Sequence, residues 1–92
     1  MTAIPFNAQT IKGKVTDEKN APLTYANVVL QTVDSIYVAG TTTDMEGRFE
    51  LALHEKAKLI NISFVGYSTI TKEISEYDLG IIQLSPDTQL LG

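Results

Sequence analysis

The side chains able to do chemistry in this chain are few and scattered. His54 is the single histidine. To act as a general base it would need a nucleophile beside it and an acid to orient it. It stands instead in a charged stretch, H-E-K-A-K over residues 54–58, which reads as a solvated link between strands. One imidazole cannot build a metal cage made of histidines alone. Cysteine is absent, which excludes disulfide scaffolds, thiolate metal sites and cysteine nucleophiles.

Paired carboxylates can share acid and base work. The local pairs are Asp17 with Glu18 and Asp44 with Glu46. Both fall where turns are expected, and there acidic residues serve turn geometry and solubility. A calcium loop built on Asp44-Met45-Glu46-Gly47, with Asp34 approaching from another turn, offers too few of the roughly six to eight oxygens that ion takes. No glycine-rich loop follows a strand and opens a helix, so nothing supports a phosphate cradle. Sugar binding commonly uses aromatic platforms. Tryptophan is absent, which leaves Tyr25, Tyr37, Tyr67 and Tyr77. Tyr67 reads as a corner tyrosine packed into the domain. Tyr37 and Tyr77 remain as a tentative binding surface. The expected site therefore holds no catalytic residue, no cofactor and no metal.

The elements that must position these residues follow a period of two. Ile11, Gly13 and Val15 alternate with polar neighbours, as in a half-buried strand. Residues 26–32 carry the apolar run Val28-Val29-Leu30, suited to a more deeply buried one. Residues 36–43 are rich in β-branched types that fit a pleated surface. The D-M-E-G at 44–47 reads as a hairpin turn, with Asp44 bonding its own backbone and Gly47 supplying a positive φ. Phe49, Leu51 and Leu53 then mark one face of a strand. Residues 59–65 give another, Gly66-Tyr67 breaks it, 67–74 resumes it, and 79–85 is the last. Pro86 ends that strand, since proline cannot donate to a ladder.

About seven short strands without a helix predict an all-β sandwich with Greek-key-like connections, its strands antiparallel or mixed. The expected core is Ile11, Val15, Val28, Leu30, Phe49, Leu51, Ile60, Ile62, Phe64, Ile82 and Leu84. Gly13 is expected where a side chain would crowd the facing sheet.

The chain has 92 residues, room for a single small domain. Its 43% apolar content is that of a folded protein and argues against intrinsic disorder. Its formal charge of −4 lacks the basic footprint of a nucleic-acid binder. The same balance disfavours anionic membrane surfaces. No apolar run approaches the ~20 residues that a membrane-spanning helix needs. Residues 1–8, M-T-A-I-P-F-N-A, read as a signal-peptide remnant or an arm.

Five pieces in order carry a resemblance: I-K-G-K-V-T-D (11–17), P-L-T-Y-A-N-V-V-L (22–30), G-T-T-T-D-M-E-G-R-F-E-L (40–51), I-N-I-S-F-V-G-Y (60–67) and G-I-I-Q-L (80–84). Together they resemble the carboxypeptidase-regulatory-like domains, a transthyretin-like sandwich family. More narrowly, they resemble the version at the N-terminus of TonB-dependent outer-membrane receptors. Asn20-Ala21 before Pro22 departs from that pattern, which often has glycine there. The resemblance implies scaffold roles for Gly13, Pro22, Asp44, Gly47, Phe49, Gly66 and Tyr67, and it carries over no catalytic residue. It implies a domain over 9–85, a linker over 86–92, and a place on the periplasmic face of the outer membrane. It further implies an accessory or interaction role in nutrient uptake. The partners would be the plug and barrel of the parent chain and a periplasmic protein, with no nucleic acid. The alternative is a carbohydrate- or peptide-binding module, or a stalk domain, of a secreted or surface protein. An isopeptide-linked stalk would need an asparagine in the last strand opposite Lys12 or Lys14, and residues 79–85 contain none.

Overall fold

The computed structural model describes residues 9–87. The expectations for 1–8 and 88–92 lie outside those residues. Seven strands form: β1 (Thr10–Thr16), β2 (Asn27–Gln31), β3 (Tyr37–Thr42), β4 (Arg48–Ala52), β5 (Leu59–Ser63), β6 (Ile70–Glu73) and β7 (Asp78–Gln83). They make two sheets, β4-β1-β7 and β3-β2-β5-β6. All pairings are antiparallel except β1 with β7, which run parallel. The architecture is the all-β sandwich that the alternation predicts.

Alternate residues of the two sheets meet in the middle. Ile11, Val15, Phe49, Ile82 and Leu84 come from one sheet and its continuation, and Val28, Leu30, Ile60 and Ile62 from the other. Three further residues are buried: Leu23, Ala26 and Ala57. They sit in connections, where no period of two marks them. Leu23 is carried inward because the 17–26 connection folds back on β1. Its amide donates to Val15 O at 3.0 Å, and Thr16 bridges Pro22.

Two expected core residues are only half-buried, Leu51 and Phe64. Leu51 lies on β4, an edge strand. Phe64 follows the end of β5, and its ring meets Tyr67 at 5.9 Å and a 58° tilt.

The strand expected over 67–74 is divided. Only Ile70–Glu73 pairs with β5. Tyr67 bridges Pro86, and the Ser68 amide donates to Ser85 O at 2.8 Å. The chain thus crosses from one sheet to the continuation of the other straight after the Gly66 turn. The Asp87 amide donates to Gly66 O at 2.9 Å, so Pro86 and Asp87 are tied to the sandwich.

Three connections share one design. In 17–21, 32–36 and 44–48 the first amide donates to the fifth carbonyl at 2.8–2.9 Å, and the fourth amide to the first carbonyl at 2.9–3.0 Å. The first side chain, Asp17, Thr32 or Asp44, accepts from the third and fifth amides. The fourth residue is left-handed: Asn20 at φ 68°, Ser35 at 66° and Gly47 at 78°. This is the three-residue hairpin loop, a turn closed by a residue with positive φ. Asn20 thereby does the work of the absent glycine before Pro22, since asparagine tolerates this region better than most residues. Serine does so less readily. Ser35→Gly is expected to raise stability by up to about 1 kcal/mol, measured as a higher urea midpoint at unchanged slope.

Two threonines are buried, Thr16 at 2% and Thr43 at 1% exposure. Thr43 is fully used: its hydroxyl donates to Leu23 O and accepts from the Ala26 amide. The Thr16 hydroxyl is buried without a hydrogen-bond partner among the described residues. An unpaired buried hydroxyl costs free energy that an apolar group of the same shape does not. Thr16→Val is therefore expected to stabilise by up to about 1 kcal/mol, read as a rise in melting temperature.

Candidate functional site

Of the acidic residues singled out for chemistry, Asp17 and Asp44 are committed to the backbone, and Glu46 pairs with the Arg48 guanidinium at 2.8 Å. Asp44 Oδ1 accepts the Glu46 amide at 2.8 Å and the Arg48 amide at 2.9 Å. Those two bonds, from Arg48 first and then Glu46, hold its carboxyl below the ordinary 3.8. Asp17 Oδ1 accepts the amides of Lys19 and Ala21. His54 Nδ1 accepts the Lys56 amide at 3.0 Å, so the ring caps its own turn. No group of three or more His, Asp or Glu side chains suited to a metal occurs among the described residues.

The sign of the Asp44 shift makes a prediction. A carboxyl with a lowered folded pKa favours folding above its unfolded value near 3.8, and that contribution disappears as pH falls through the folded value. Asp44→Asn, which keeps one acceptor oxygen and loses the charge, is expected to be less stable than the parent at pH 7. The gap should narrow as both are titrated towards pH 3, which paired urea melts at several pH values would check.

Tyr67 has its phenol held above the ordinary 10.0, first by partial burial, then by the nearby Glu18 and Asp17 carboxylates and a hydrogen bond with Glu18. The Tyr67 phenol thus lies beside the 17–21 loop. The 64–67 turn is closed by the Tyr67 amide donating to Phe64 O at 3.0 Å, with Gly66 left-handed at 87°.

Gly13 lies directly opposite Phe49 in the β1–β4 register. A Cβ on Gly13 would stand 2.9 Å from two ring carbons of Phe49 and 3.2 Å from Gly80 O. The crowding therefore comes from neighbouring strands of its own sheet, which corrects the expectation of the facing sheet. The Phe49 ring folds over Gly13 because no side chain competes for that space. Gly47 packs against Pro22 and Val15 O in the same manner.

Tyr37 and Tyr77 are both exposed, at 65% and 50%. They do not share a platform. Tyr37 opens β3, one edge of the four-stranded sheet, whereas Tyr77 precedes β7, an edge of the other. The Tyr37 ring also lies against its own strand, within 3.3–3.4 Å of where a Gly40 side chain would begin.

An open hollow of about 490 Å³ lies against β4-β1-β7. Lys12, Lys14 and Arg48 line it together with Asp44, Glu50 and Asp78. Lys12 stands opposite Glu50 and Asp78, and Lys14 opposite Arg48 and Ile81. The charges balance, and the lining offers no nucleophile paired with a base. Its chemistry is that of a polar contact face.

Sequence reasoning weighed Tyr25 only as one of four tyrosines and overlooked Met45 and Val65 as displayed apolar side chains. Tyr25, Met45 and Val65 are 72%, 82% and 91% exposed at one end of the sandwich. Tyr25 is held at φ 65°, a rare conformation for an aromatic residue. For Met45 the available signal was an apolar residue inside an expected turn, where polar types usually stand; Val65 was expected inside the 59–65 strand.

Two sheets packed face to face, polar groups spent on turns, and contact faces without reactive centres define a β-sandwich of the interaction-module class. A family model described as "CarboxypepD_reg-like domain" matches residues 11–91, and the chain belongs to that carboxypeptidase-regulatory-like family. The family is a regulatory-like rather than a catalytic fold. A search of curated proteins gives no match. Among solved structures, the chain is similar to 3-chlorocatechol 1,2-dioxygenase from Rhodococcus opacus 1CP, at TM-score 0.61 and 13% identity over 88% of this chain and 60% of that one. It is also similar to a 9R-lipoxygenase from Cyanothece PCC8801, at TM-score 0.52 and 15% identity over 90% of this chain and 18% of that one. At such identities these likenesses concern the fold alone, and the chain spans less than two thirds of either protein.

Proposed function

We propose that this chain is a non-catalytic accessory domain of an outer-membrane TonB-dependent receptor, facing the periplasm and serving nutrient uptake by docking. The observation that carries this reading is family membership across 11–91, joined to the narrower resemblance of the five ordered sequence pieces to receptor N-termini. The polar chemistry supports it. The acidic and imidazole side chains that a hydrolase would place in a cleft are hydrogen-bonded to turn amides here. Four edge strands and exposed loop ends provide the physical means of contact.

The test is genetic. The parent gene is expected to encode a plug and a long β-barrel beyond residue 92. Deleting codons 11–87 should leave the barrel assembled in the outer membrane and reduce substrate uptake. A parent encoding a peptidase, a glycan-active enzyme or a repeated stalk, with no barrel, would overturn the receptor reading.

A further inference from the structure

We propose that the outer face of the β3-β2-β5-β6 sheet binds a neutral oligosaccharide, with the Tyr37 ring as its stacking surface and the Gln31 and Asn61 amides as its hydrogen-bonding groups. The inference goes beyond the accessory-domain reading and does not depend on it.

The register defines the face. Val28, Leu30, Ile60 and Ile62 lie in the core, so their strand neighbours point away from it. Two cross-strand rows result, Tyr37 with Gln31 and Leu59, and Gly40 with Val29 and Asn61. Tyr37 and Gly40 are three residues apart, a spacing that a regular strand divides between its two faces. The register shift between Leu30 and Gln31 adds one β3 residue at that point and returns both to the same face. The hydroxyl end of the Tyr37 ring then lies over Gly40, 3.3 Å from where a Cβ would begin. A bulge re-aims a side chain, and a glycine inside a strand marks a place of close approach. Here the two together lay an aromatic ring along the sheet, with Tyr37 still 65% exposed.

The charge pattern indicates the chemistry of the ligand. Strands β1, β4 and β7 hold five charged residues, whereas β2, β3, β5 and β6 hold only Lys72 and Glu73, both on the edge strand β6. Lys72 stands opposite the buried Ile60, so Glu73 is the one charge in the outward rows of these four strands. An anionic ligand would find no countercharge on this face, and a cationic one a single carboxylate at its margin. The polar groups it does offer are amides and hydroxyls. The Asn61 amide donates to Thr71 Oγ1 at 2.8 Å, which leaves its carbonyl oxygen and second N–H for another partner. Gln31 adds a second amide on the neighbouring strand.

Shape and size favour a short sugar chain over a protein. Neighbouring strands stand about 4.8 Å apart, so Tyr37 and Asn61 are roughly 10 Å from one another across β2. A short run of linked pyranose rings spans that distance. Each ring has a C–H face that packs on an aromatic side chain, and hydroxyls that donate and accept as amides do. A stable protein interface instead needs roughly 800 Å² per partner around a more apolar core. In the two rows the apolar groups are the Tyr37 ring, Val29 and Leu59, and the last two are already half-buried. A second copy of this chain would meet the same shortage.

The experiment titrates the isotope-labelled 92-residue chain with maltohexaose, cellohexaose, xylohexaose and mannohexaose, followed by NMR. At least one of these neutral sugars is expected to shift the Gln31 and Asn61 side-chain amide signals saturably, with a Kd on the order of 1 mM. Tyr37→Ala should weaken that binding at least about tenfold in a chain whose spectrum stays folded, and Tyr37→Phe, which keeps the ring, should stay within about threefold of the parent. Tyr77→Ala, at a tyrosine also exposed but beside the other sheet, should leave binding unchanged. Hexagalacturonate, which carries a carboxylate on every sugar, should bind at least about tenfold more weakly than the neutral ligand. No saturable shift from any of the four sugars up to about 10 mM would overturn the proposal. So would undiminished binding by Tyr37→Ala, equal binding of hexagalacturonate, or shifts confined to other parts of the chain. Shifts of the same signals on concentrating the chain without sugar would assign the face to a second copy and overturn it too.

Discussion

Gly47→Ala is expected to destabilise the domain by about 3 kcal/mol or more, although it adds only one methyl group. Two costs add. The residue sits at φ 78°, where an L side chain costs about 1–2 kcal/mol. A Cβ there would also stand 2.6 Å from Val15 O and 3.0 Å from Pro22 Cβ. Val15 O cannot retreat easily, because it accepts the Leu23 amide while the Val15 amide donates to Gly47 O. Relief of the clash would pull β1 from the turn and from the 17–26 connection together. Overpacking of this sort costs about 1–3 kcal/mol. A domain of this size has roughly 5–14 kcal/mol in hand, so urea unfolding should show a large fall in midpoint. A loss below about 1 kcal/mol would mean that the loop shifts freely and that the tie between Val15 and Gly47 is weak.

Thr43→Val should cost about 2–4 kcal/mol although it preserves shape and creates no cavity. The substitution strands two buried groups, the Leu23 carbonyl and the Ala26 amide, each losing its bond to the Thr43 hydroxyl. Each unsatisfied buried group costs about 1–3 kcal/mol. The same chemical change at Thr16 is expected to act in the opposite direction, since that hydroxyl has no partner to abandon. The pair is therefore an internal control: one structure, one substitution, two signs. Chemical denaturation of both variants at pH 7 would decide it. A stabilising Thr43→Val would show that the 17–26 connection does not depend on its threonine tie.

These expectations concern how the domain holds its loops. Tyr67 is an example. Its phenol lies beside the Glu18 and Asp17 carboxylates and its backbone bridges Pro86, so the 17–21 loop, the 64–67 turn and residues 85–87 share one end of the sandwich. Thr43 and Gly47 secure the neighbouring connections. Rigid loops lower the ordering cost of binding, which matters most for a small contact.

Much of this was legible in the residues. Ile11 with Val15, Val28 with Leu30, Ile60 with Ile62, and Ile82 with Leu84 announce buried strand faces. Alternation is a local property, and a sheet with one dry face imposes it on each strand separately. The D-M-E-G turn was legible for the same reason, because its hydrogen bonds lie within five residues. The 17–21 and 32–36 loops carried a similar signal, Asp or Thr three places before Asn or Ser, although neither contains glycine.

Only the tertiary structure decided the rest. The parallel pairing of β1 with β7, and the crossing of residues 67–68 to pair with 85–86, join segments far apart in the chain that no local period connects. Thr43 and Thr16 are the same residue type in similar strand-end positions, yet one hydroxyl is shared by Leu23 and Ala26 while the other meets nothing. Leu23 and Ala57 are buried while Met45 and Val65 stand in water, though all four lie in connections. A residue type records what a side chain would prefer to contact; in a loop, the neighbouring elements determine what it does contact.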